Sequence, residues 1–500
     1  MARQSKAIRF FDFTGGLNTK SPVTSLQPNQ ALDLDNIVLL PSGGFQKRRG
    51  NSAFNSSAME SGSAIHGLGY YRQADADEFL VSVVSSKVYS SPMTGTMTDR
   101  TGALSITAGG NSVWTSFVMN NNVYFVGGAP DAPFQWTGSG DATALAGSPP
   151  SGNFGFTHNR RAFIGNTTAN PSRIAWSKLA DPADWSAAGS GTQDIQEGDG
   201  DTLVCGVPIS TDRVVLFKQN SIHNLDTTAA PFTTFPIARG VGCVGKLAWV
   251  KVNNTIYFIT PQARMKAYDG NTITEFPDTI DNVWDGLSST RRQYIVGEYN
   301  KRLNQIYWYC SNGSSSTNNY CIVWDITRSC WLRYTTGHDM NVTATNQAGT
   351  LYGGAYDGKI YQMDVSAVYT DASESSTAIN GYWRSGWISL ENMIESKYFP
   401  YLDVSFTTQS TGTLYVSYGF DFSPDRKTVS FSQQTTGDVY GTGVYGTAVY
   451  GGAADNAKLI HTKGQGKFFQ FAIKNPNASE AMSINGLEIP IKVSSPTALI

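Results

Sequence analysis

Short hydrophobic runs, separated by glycine, asparagine and aspartate, follow one another along most of the chain. Valine, isoleucine and aromatic residues fill the runs and turn-forming residues bound them, which is typical of β-strands. Several runs are apolar at nearly every position, as expected of strands buried on both faces in the stacked sheets of a propeller. The clearest runs are residues 123–127, 161–165, 214–218, 255–260, 305–310 and 320–325.

Helix-forming patterns are confined to two short segments. Residues 28–37 have a helix-friendly composition, and Pro28 suits a first helical turn. Residues 278–286 bring apolar side chains into helical spacing. The rest of the pattern predicts an all-β fold.

A loose strand–turn–strand repeat indicates an irregular β-propeller. In each copy a hydrophobic strand leads through a polar turn into an aromatic strand that ends in aspartate, as at residues 258–270, 320–328 and 351–364. The last copy contains an Asp-Gly hairpin turn. Residues 65–369 have room for about six or seven blades of about 40–50 residues each, and no motif recurs at a constant period.

Residues 1–64 precede the propeller pattern and are interpreted as an N-terminal arm. Its large apolar side chains are Phe10, Phe11, Phe13, Leu17, Leu32, Leu34, Ile37 and Phe45. Because burial of each such side chain contributes about 1.5–3 kcal/mol, we expect the arm to pack on the body rather than trail from it.

The pattern changes again after about residue 370. Residues 401–408 and 413–419 alternate between apolar and polar positions, which indicates strands with one buried and one solvated face. We therefore predict a β-sandwich-like platform or tip module over residues 370–500.

Residues 439–452 repeat Val-Tyr-Gly three times, which predicts a long hairpin loop or a surface ribbon. Tyr440, Tyr445 and Tyr450 are candidate interface residues, because tyrosine is a favoured interface anchor. The alternative is that this ribbon only caps its own β-module.

Charge is scarce: 15% of the 500 residues are charged, against about 25% in an average protein. The net charge is −2 and no basic stripe marks a nucleic-acid site. The tightest basic cluster, Lys47-Arg48-Arg49, is interpreted as a solvated turn. A charge-poor surface with 24 tyrosines suits broad packed interfaces.

The five cysteines have no C-x-x-C spacing and fit neither a disulfide framework nor a zinc site. We expect reduced, buried thiols in a protein made in a cytoplasm, although Cys310 and Cys321 could face each other across a hairpin. No secretion signal and no apolar run of membrane-spanning length is visible, so we expect no membrane segment.

Motifs of catalysis are not apparent. The five histidines are scattered, and zinc-protease, EF-hand and G-x-S-x-G patterns are missing. Residues 441–446 match G-x-G-x-x-G formally, but within a Tyr-Gly repeat with no helix after it. We therefore predict no catalytic residue, no cofactor and no metal, and a protein that is not an enzyme.

The acidic stretch 194–201 leaves alternatives open. Its four carboxylates could bind calcium or act in catalysis. Otherwise it is a solvated loop between blades, in which Gly198 and Gly200 adopt positive φ.

Three groups of residues resemble the tail nozzle (tail hub, or tail tubular protein B-like) proteins of short-tailed bacteriophages. The first group is residues 13–22, 26–36 and 43–50; the second is 198–204 with 213–222; the third is 238–245 with 256–259 and 268–270. They occur in the expected order between residues 10 and 290. The region after residue 370 carries no motif of that family.

The resemblance implies a structural virion protein of the phage tail, made in the host cytoplasm. It implies a homohexameric ring below the portal and adaptor rings, with tail fibres or spikes attached around it. Double-stranded DNA would pass through the lumen without sequence recognition, for which a near-neutral chain is suited. Because the family is structural, no residue carries over as catalytic.

Two other functions compete with this interpretation. A carbohydrate-binding or glycosidase-type propeller would need two carboxylates facing one pocket, about 5–9 Å apart. Another virion component of the same fold, such as a receptor-binding or baseplate protein, is the second.

Overall fold

The computed structural model describes residues 6–107, 109, 112–229, 231–389, 396–409, 412–433 and 456–493. Strands make up 49% of it and helices 4%, which confirms the predicted all-β fold. Within the described ranges, no helix has the length and apolar character that crossing a membrane requires.

The chain begins with six short strands and a 3₁₀ turn at Glu60–Gly62. The strands are β1 (Lys6–Phe10), β2 (Gly16–Leu17), β3 (Gln30–Asp35), β4 (Ile37–Leu39), β5 (Phe45–Lys47) and β6 (Ser52–Ala53). The helix predicted at residues 28–37 is therefore wrong. These residues form strands because β3 finds backbone partners, in parallel with β2 and antiparallel to a strand near residue 385.

Seven four-stranded antiparallel sheets, here called blades, account for the next part of the described chain. Blade 1 comprises β7 (Ile65–Arg72), β8 (Glu78–Val84), β9 (Lys87–Ser91) and β10 (Thr98–Asp99). Blade 2 comprises β11 (Thr115–Met119), β12 (Asn122–Val126), β13 (Phe134–Trp136) and β14 (Thr143–Ala144). Blade 3 comprises β15 (Gly152–His158), β16 (Arg161–Thr167), β17 (Arg173–Trp176) and β18 (Gly191–Asp194).

The remaining blades follow the same plan. Blade 4 comprises β19 (Leu203–Pro208), β20 (Arg213–Lys218), β21 (Ser221–Asp226) and β22 (Thr233–Arg239). Blade 5 comprises β23 (Trp249–Val252), β24 (Thr255–Ile259), β25 (Met265–Tyr268) and β26 (Ile273–Glu275). Blade 6 comprises β27 (Val296–Asn300), β28 (Gln305–Cys310), β29 (Tyr320–Asp325) and β30 (Cys330–Tyr334). Blade 7 comprises β31 (Met340–Thr345), β32 (Leu351–Ala355), β33 (Ile360–Gln362) and, from the start of the chain, β6.

The blades are arranged in a closed circle. From blade 1 to blade 4, and again from blade 5 to blade 7, the first strand of each blade contacts the first strand of the next. The first strand of blade 7, β31, also contacts the first strand of blade 1, β7. Blades 4 and 5 meet through Phe217 and Phe258, whose ring centroids are 4.9 Å apart. The circle is completed by β6, which pairs with β33 at Tyr361 and Gln362. This arrangement is a β-propeller whose last blade depends on the N-terminal segment.

Between blades 5 and 6 the chain forms α1 (Asp281–Asp285) and a 3₁₀ helix at Ser289–Tyr294. The helix predicted at residues 278–286 is confirmed in its central turn. It is held by Trp284, which is buried against Trp331 of blade 6 with ring centroids 5.7 Å apart.

After the propeller the chain forms a small hairpin with a 3₁₀ turn at Ala372–Glu374, and then seven longer strands. The hairpin strands are β34 (Thr370–Asp371) and β35 (Thr377–Ala378). The others are β36 (Gly381–Ser385), β37 (Lys397–Phe406), β38 (Thr413–Phe420), β39 (Lys427–Ser432), β40 (Ala457–Gly466), β41 (Phe469–Asn475) and β42 (Ser483–Val493).

These strands and the N-terminal ones build two six-stranded sheets. The first sandwich sheet has the order β4-β5-β42-β37-β40, with β1 also beside β42; the second has the order β2-β3-β36-β41-β38-β39. The sheets face each other through aromatic pairs, among them Phe399 with Phe469 at 5.0 Å and Phe10 with Phe471 at 5.3 Å. Residues 439–452, including Tyr440, Tyr445 and Tyr450, lie outside the described residues.

The arm is threaded through both parts of the protein. Phe13 is fully buried between Phe45 and Trp383, with both ring pairs 5.0 Å apart. Gly16 lies so close to blade 6 that a Cβ there would be 2.7 Å from Cβ of Cys330, and its φ is +65°. No side chain fits this position, so the glycine is required by the packing.

The solvated turn predicted for Lys47-Arg48-Arg49 is wrong, because Lys47 and Arg48 are 1% and 4% exposed. Nζ of Lys47 donates to Oδ1 of Asn475 and to the carbonyl of Asn477, and burial lowers the pKa of Lys47 to about 8. Distant acceptors make both burials possible, and these acceptors are not visible in the local sequence.

All five cysteines are buried and free, as expected. In the β28–β29 hairpin, Cys310 lies opposite Tyr320 and Cys321 opposite Tyr309, so the two thiols are not cross-strand partners. Burial raises the pKa of each of these two thiols.

Candidate functional site

A cavity of about 320 Å³ lies where the inner parts of five blades converge, which places it at the propeller axis. It is lined by residues 112–113 and 127 of blade 2, 153 and 166 of blade 3, 202–204 and 219 of blade 4, 244–247 before blade 5 and 293–296 before and within blade 6. This volume is at the small end of the range of about 300–1,000 Å³ that is typical of ligand pockets.

Lys246 reaches across this cavity from the start of blade 5 to blade 3. Its Nζ donates to the backbone carbonyl and to Oδ1 of Asn153, each at 3.0 Å. Some of the side chain remains exposed, but the ammonium is surrounded by protein atoms, and this burial lowers the pKa of Lys246 to about 7. The cavity therefore holds an amine that changes charge near neutral pH.

Glycines bring the Lys246 loop into place. A Cβ at Gly242 would be 2.3 Å from the carbonyl oxygens of Lys218 and Gln219, and one at Gly245 would be 2.2 Å from the carbonyl oxygen of Gln293. Only glycine permits such close backbone approach. The loop is thereby pressed against both neighbouring blades, and Lys246 is directed towards the axis.

The described residues that line the axial cavity include no aspartate, glutamate, histidine or cysteine. Its polar groups are the amine of Lys246, side-chain amides and hydroxyls. A hydrolysis that uses two carboxylates has no acid–base pair among these residues, and a metal has no carboxylate, imidazole or thiolate ligand among them.

The carboxylates of the acidic stretch 194–201 are engaged by neighbouring donors. Asp194 forms a two-bond ion pair with Arg173, at 2.6 and 2.7 Å. Glu197 accepts a hydrogen bond from the side chain of Asn170 at 2.8 Å. Among the residues that the structure describes, no group of three or more potential metal ligands comes together.

The other two carboxylates hold the start of blade 4. Both oxygens of Asp199 lie 2.7 Å from Nζ of Lys218, whose side chain is fully buried. Asp201 accepts hydrogen bonds from the backbone N–H groups of Gln219 and Asn220, each at 3.0 Å. Gly198 and Gly200 have φ of +85° and +74°, the positive values expected for an inter-blade loop. The stretch acts as a structural joint.

A second cavity, of about 350 Å³, lies beside α1 and blade 5. Its charged groups are already paired: Lys266 with Glu275 at 2.6 Å, and Arg264 with Asp281 at 3.1 Å. The two tryptophans among its described lining residues, Trp284 and Trp331, are each only 2% exposed. These two indoles therefore offer little open aromatic surface on which a sugar could stack.

The sequence did not single out Lys246. It directly follows residues 238–245, the first segment of the third resembling group, but a lone lysine after a glycine-rich segment is ordinarily part of a solvated turn. Its partner Asn153 is 93 residues earlier, so only the closed circle of blades brings the two together. Tyr440, Tyr445 and Tyr450, the residues that the sequence did single out, lie outside the described ranges.

The fold defines the class of protein: a β-propeller joined to a β-sandwich that shares its N-terminal strands. A scan against models of known protein families finds no match, and a search of curated proteins finds none.

Among solved structures, the chain is similar in fold to other β-propellers. Virginiamycin B lyase from Staphylococcus aureus is 13% identical, with a TM-score of 0.44, over 64% of this chain and 99% of that one. YCF48 bound to D1 peptide is 11% identical, with a TM-score of 0.43, over 66% and 99%. The WD40 propeller domain of Doa1 is 9% identical, with a TM-score of 0.42, over 63% and 96%. One of the three is an enzyme, and at these values the likeness does not decide whether this chain is one.

Proposed function

We propose that this chain is a non-enzymatic structural protein of a bacteriophage tail. In this proposal it forms a closed ring, of six copies, that conducts DNA and carries fibres or spikes. The observation that supports it is where the residues that resemble tail nozzle proteins lie. They lie at two joints of the framework: the second and third groups meet in blade 4, and the first group links the propeller to the sandwich.

The first joint is in blade 4 and unites the second and third resembling groups. Asp199 of the acidic stretch binds the buried Lys218 of β20. The carbonyl of Lys218 in turn accepts a hydrogen bond at 3.0 Å from the backbone N–H of Cys243. A buried lysine with this many protein partners serves to fix loops to a strand.

The second joint is formed by the first resembling group, which links propeller and sandwich. Gly16 packs on blade 6 and Phe13 fills the sandwich core. Arg48 binds Asp371, which follows the propeller. These contacts couple the two parts into one body, as a ring subunit under load requires.

Two exposed edge strands supply candidate surfaces for ring contacts. β39 and β40 end the two sandwich sheets, and among the described residues neither pairs on its outer side. β40 exposes Leu459 to 43%. Unpaired edges with exposed apolar side chains invite pairing with another chain, and a second copy would cover them in a ring. A head-to-tail contact closes only when its rotation divides the circle.

The mass and shape of the purified protein test the ring. We expect mass photometry to give six copies of the 54.1 kDa chain and negative-stain electron microscopy to show closed rings. A monomer, or a spiral that does not close, would contradict the proposal. If the ring contact uses the β40 edge, Leu459→Arg should give monomers. Leu179→Arg, at a position on blade 3 that is 51% exposed, is the control and should leave the hexamer intact.

The Val-Tyr-Gly ribbon stays a prediction from sequence. Replacing Tyr440, Tyr445 and Tyr450 with serine tests it in the same assay. We expect impaired ring or tail assembly with an unchanged melting temperature, because the tyrosines are proposed as interface anchors. Unchanged assembly would favour the alternative, that the ribbon only caps its own β-module.

A further inference from the structure

Lys246 is the one cationic side chain among the described residues that line the axial cavity. Its ammonium has three donors, and two of them are used by Asn153. The third has no acceptor among the described residues. A buried cation without an opposing charge is unfavourable. The described lining residues supply no carboxylate, so an anionic ligand would stabilise the charged form of Lys246.

We propose that the axial cavity binds a small amphipathic carboxylate, whose charged group pairs with Nζ of Lys246 and whose apolar part lies against Val204, Val244 and Leu247. This site is independent of the proposed ring.

The composition of the cavity selects this class of ligand. Cations are disfavoured, because no carboxylate is present among the described lining residues. A single ammonium matches a monoanion, whereas a phosphate group is ordinarily held by several charged or backbone donors. The exposed side chains of Gln219 and Gln293 also line the cavity, and their amides can donate to carboxylate oxygens. A volume of about 320 Å³ fits a short acyl or aromatic acid.

The charged side chains next to the cavity are bound to groups other than Lys246. Tyr294 carries the only other titratable side chain among the described lining residues. Arg292 donates to the carbonyl of Pro261, and Arg291 to Oγ of Ser311. On the blade 4 side, Asp201 accepts the backbone N–H of Gln219 and Asp199 binds Lys218. The pH dependence of binding should therefore follow Lys246.

The direction of that dependence follows from linkage. Below about pH 7 the free amine is already charged, and affinity is constant. Above it the ligand must bind together with a proton, so affinity falls about tenfold per pH unit.

Calorimetry with octanoate as the probe tests the proposal on the full chain, at about pH 6 and about pH 8, on either side of the pKa of Lys246. We expect binding that is about tenfold weaker at the higher pH. Lys246→Met removes the charge and should weaken binding about 10- to 100-fold. Asn153→Asp supplies an internal counter-charge in nearly the same volume and should also weaken it.

Lys251→Met is the matched control. Lys251 also donates to two carbonyls, those of Pro208 and Ile209, but does not line the cavity. It should leave octanoate binding unchanged, and the melting temperature of each variant verifies folding. The proposal is overturned if octanoate does not bind, if octan-1-ol binds equally well, if inorganic phosphate binds and octanoate does not, or if neither Lys246→Met nor Asn153→Asp weakens binding.

Discussion

Arg48 and Asp371, 323 residues apart in the chain, form a buried bidentate ion pair, with distances of 2.5 and 3.0 Å. Their side chains are 4% and 0% exposed. Burial acts to raise the pKa of Asp371, but the guanidinium of Arg48 outweighs it and holds the pKa below its ordinary value. The pair joins the N-terminal segment to the chain that leaves the propeller.

Removing one partner of this pair should be strongly destabilising. Asp371→Asn leaves Arg48 buried without its counter-charge, and we expect a loss of about 3–5 kcal/mol in the free energy of unfolding, measured by urea denaturation. Arg302→Met removes the partner of Asp364 in a more exposed pair and should cost about 1 kcal/mol or less. Equal losses of unfolding free energy for the two substitutions would show that the contribution of the Arg48–Asp371 pair does not depend on its burial.

His338 should make the protein sensitive to mild acid. Burial, and next the charge of Arg48, lower the pKa of His338 to about 3. Between about pH 6.5 and pH 3 the unfolded chain therefore binds a proton that the folded chain does not, and stability falls as pH falls. Relative to His338→Gln, the wild type should lose about 1.4 kcal/mol per pH unit between about pH 6 and pH 5.

Denaturation curves at several pH values measure this difference, and subtracting the variant from the wild type cancels other titrating groups. A slope identical in wild type and His338→Gln would mean that His338 is protonated alike in both states.

Calcium should not stabilise the acidic stretch 194–201. The oxygens of Asp199 already bind Lys218, and those of Asp201 bind backbone N–H groups. We expect millimolar calcium chloride to leave the melting temperature within error of that in magnesium chloride, a concentration at which weak calcium modules are filled. A calcium-specific increase that Asp199→Asn abolishes would instead establish a site.

Lys218→Met should be more damaging than any change of divalent ion. It removes the buried donor that holds Asp199 and the backbone carbonyls of Ile195 and Gln196, and a loss of about 1–3 kcal/mol is expected in urea denaturation. Lys266→Met is the comparison, because Lys266 pairs with an exposed carboxylate, that of Glu275. Its cost should be about 1 kcal/mol or less.

Gly50 should tolerate no side chain, although its φ is not positive. A Cβ at this position would be 1.9 Å from the carbonyl oxygen of Thr370, where the N-terminal segment passes the end of the propeller. We expect Gly50→Ala to cost more than about 2 kcal/mol through backbone displacement. At Gly419 in β38 the nearest atom would be at an ordinary 3.5 Å, so Gly419→Ala should cost less than about 1 kcal/mol. Thermal denaturation compares the two.

The sequence by itself determined most of the local structure. Runs such as residues 305–310 and 320–325 became strands β28 and β29, because β-branched and aromatic residues and bounding turns act over a few residues. Gly198 and Gly200 took the positive φ that their loop predicts. The helical spacing around Trp284 gave α1 for the same reason.

The tertiary structure decided what depends on distant partners. Residues 30–35 became a strand because strands β2 and β36 offered hydrogen bonds that outweigh a weak helical preference. Arg48 is buried only because Asp371 meets it from 323 residues away. Lys246 lies in the axial cavity only because the circle of blades closes around Asn153. Strand pairing and the burial of charge depend on which remote groups come together, and no local pattern encodes that.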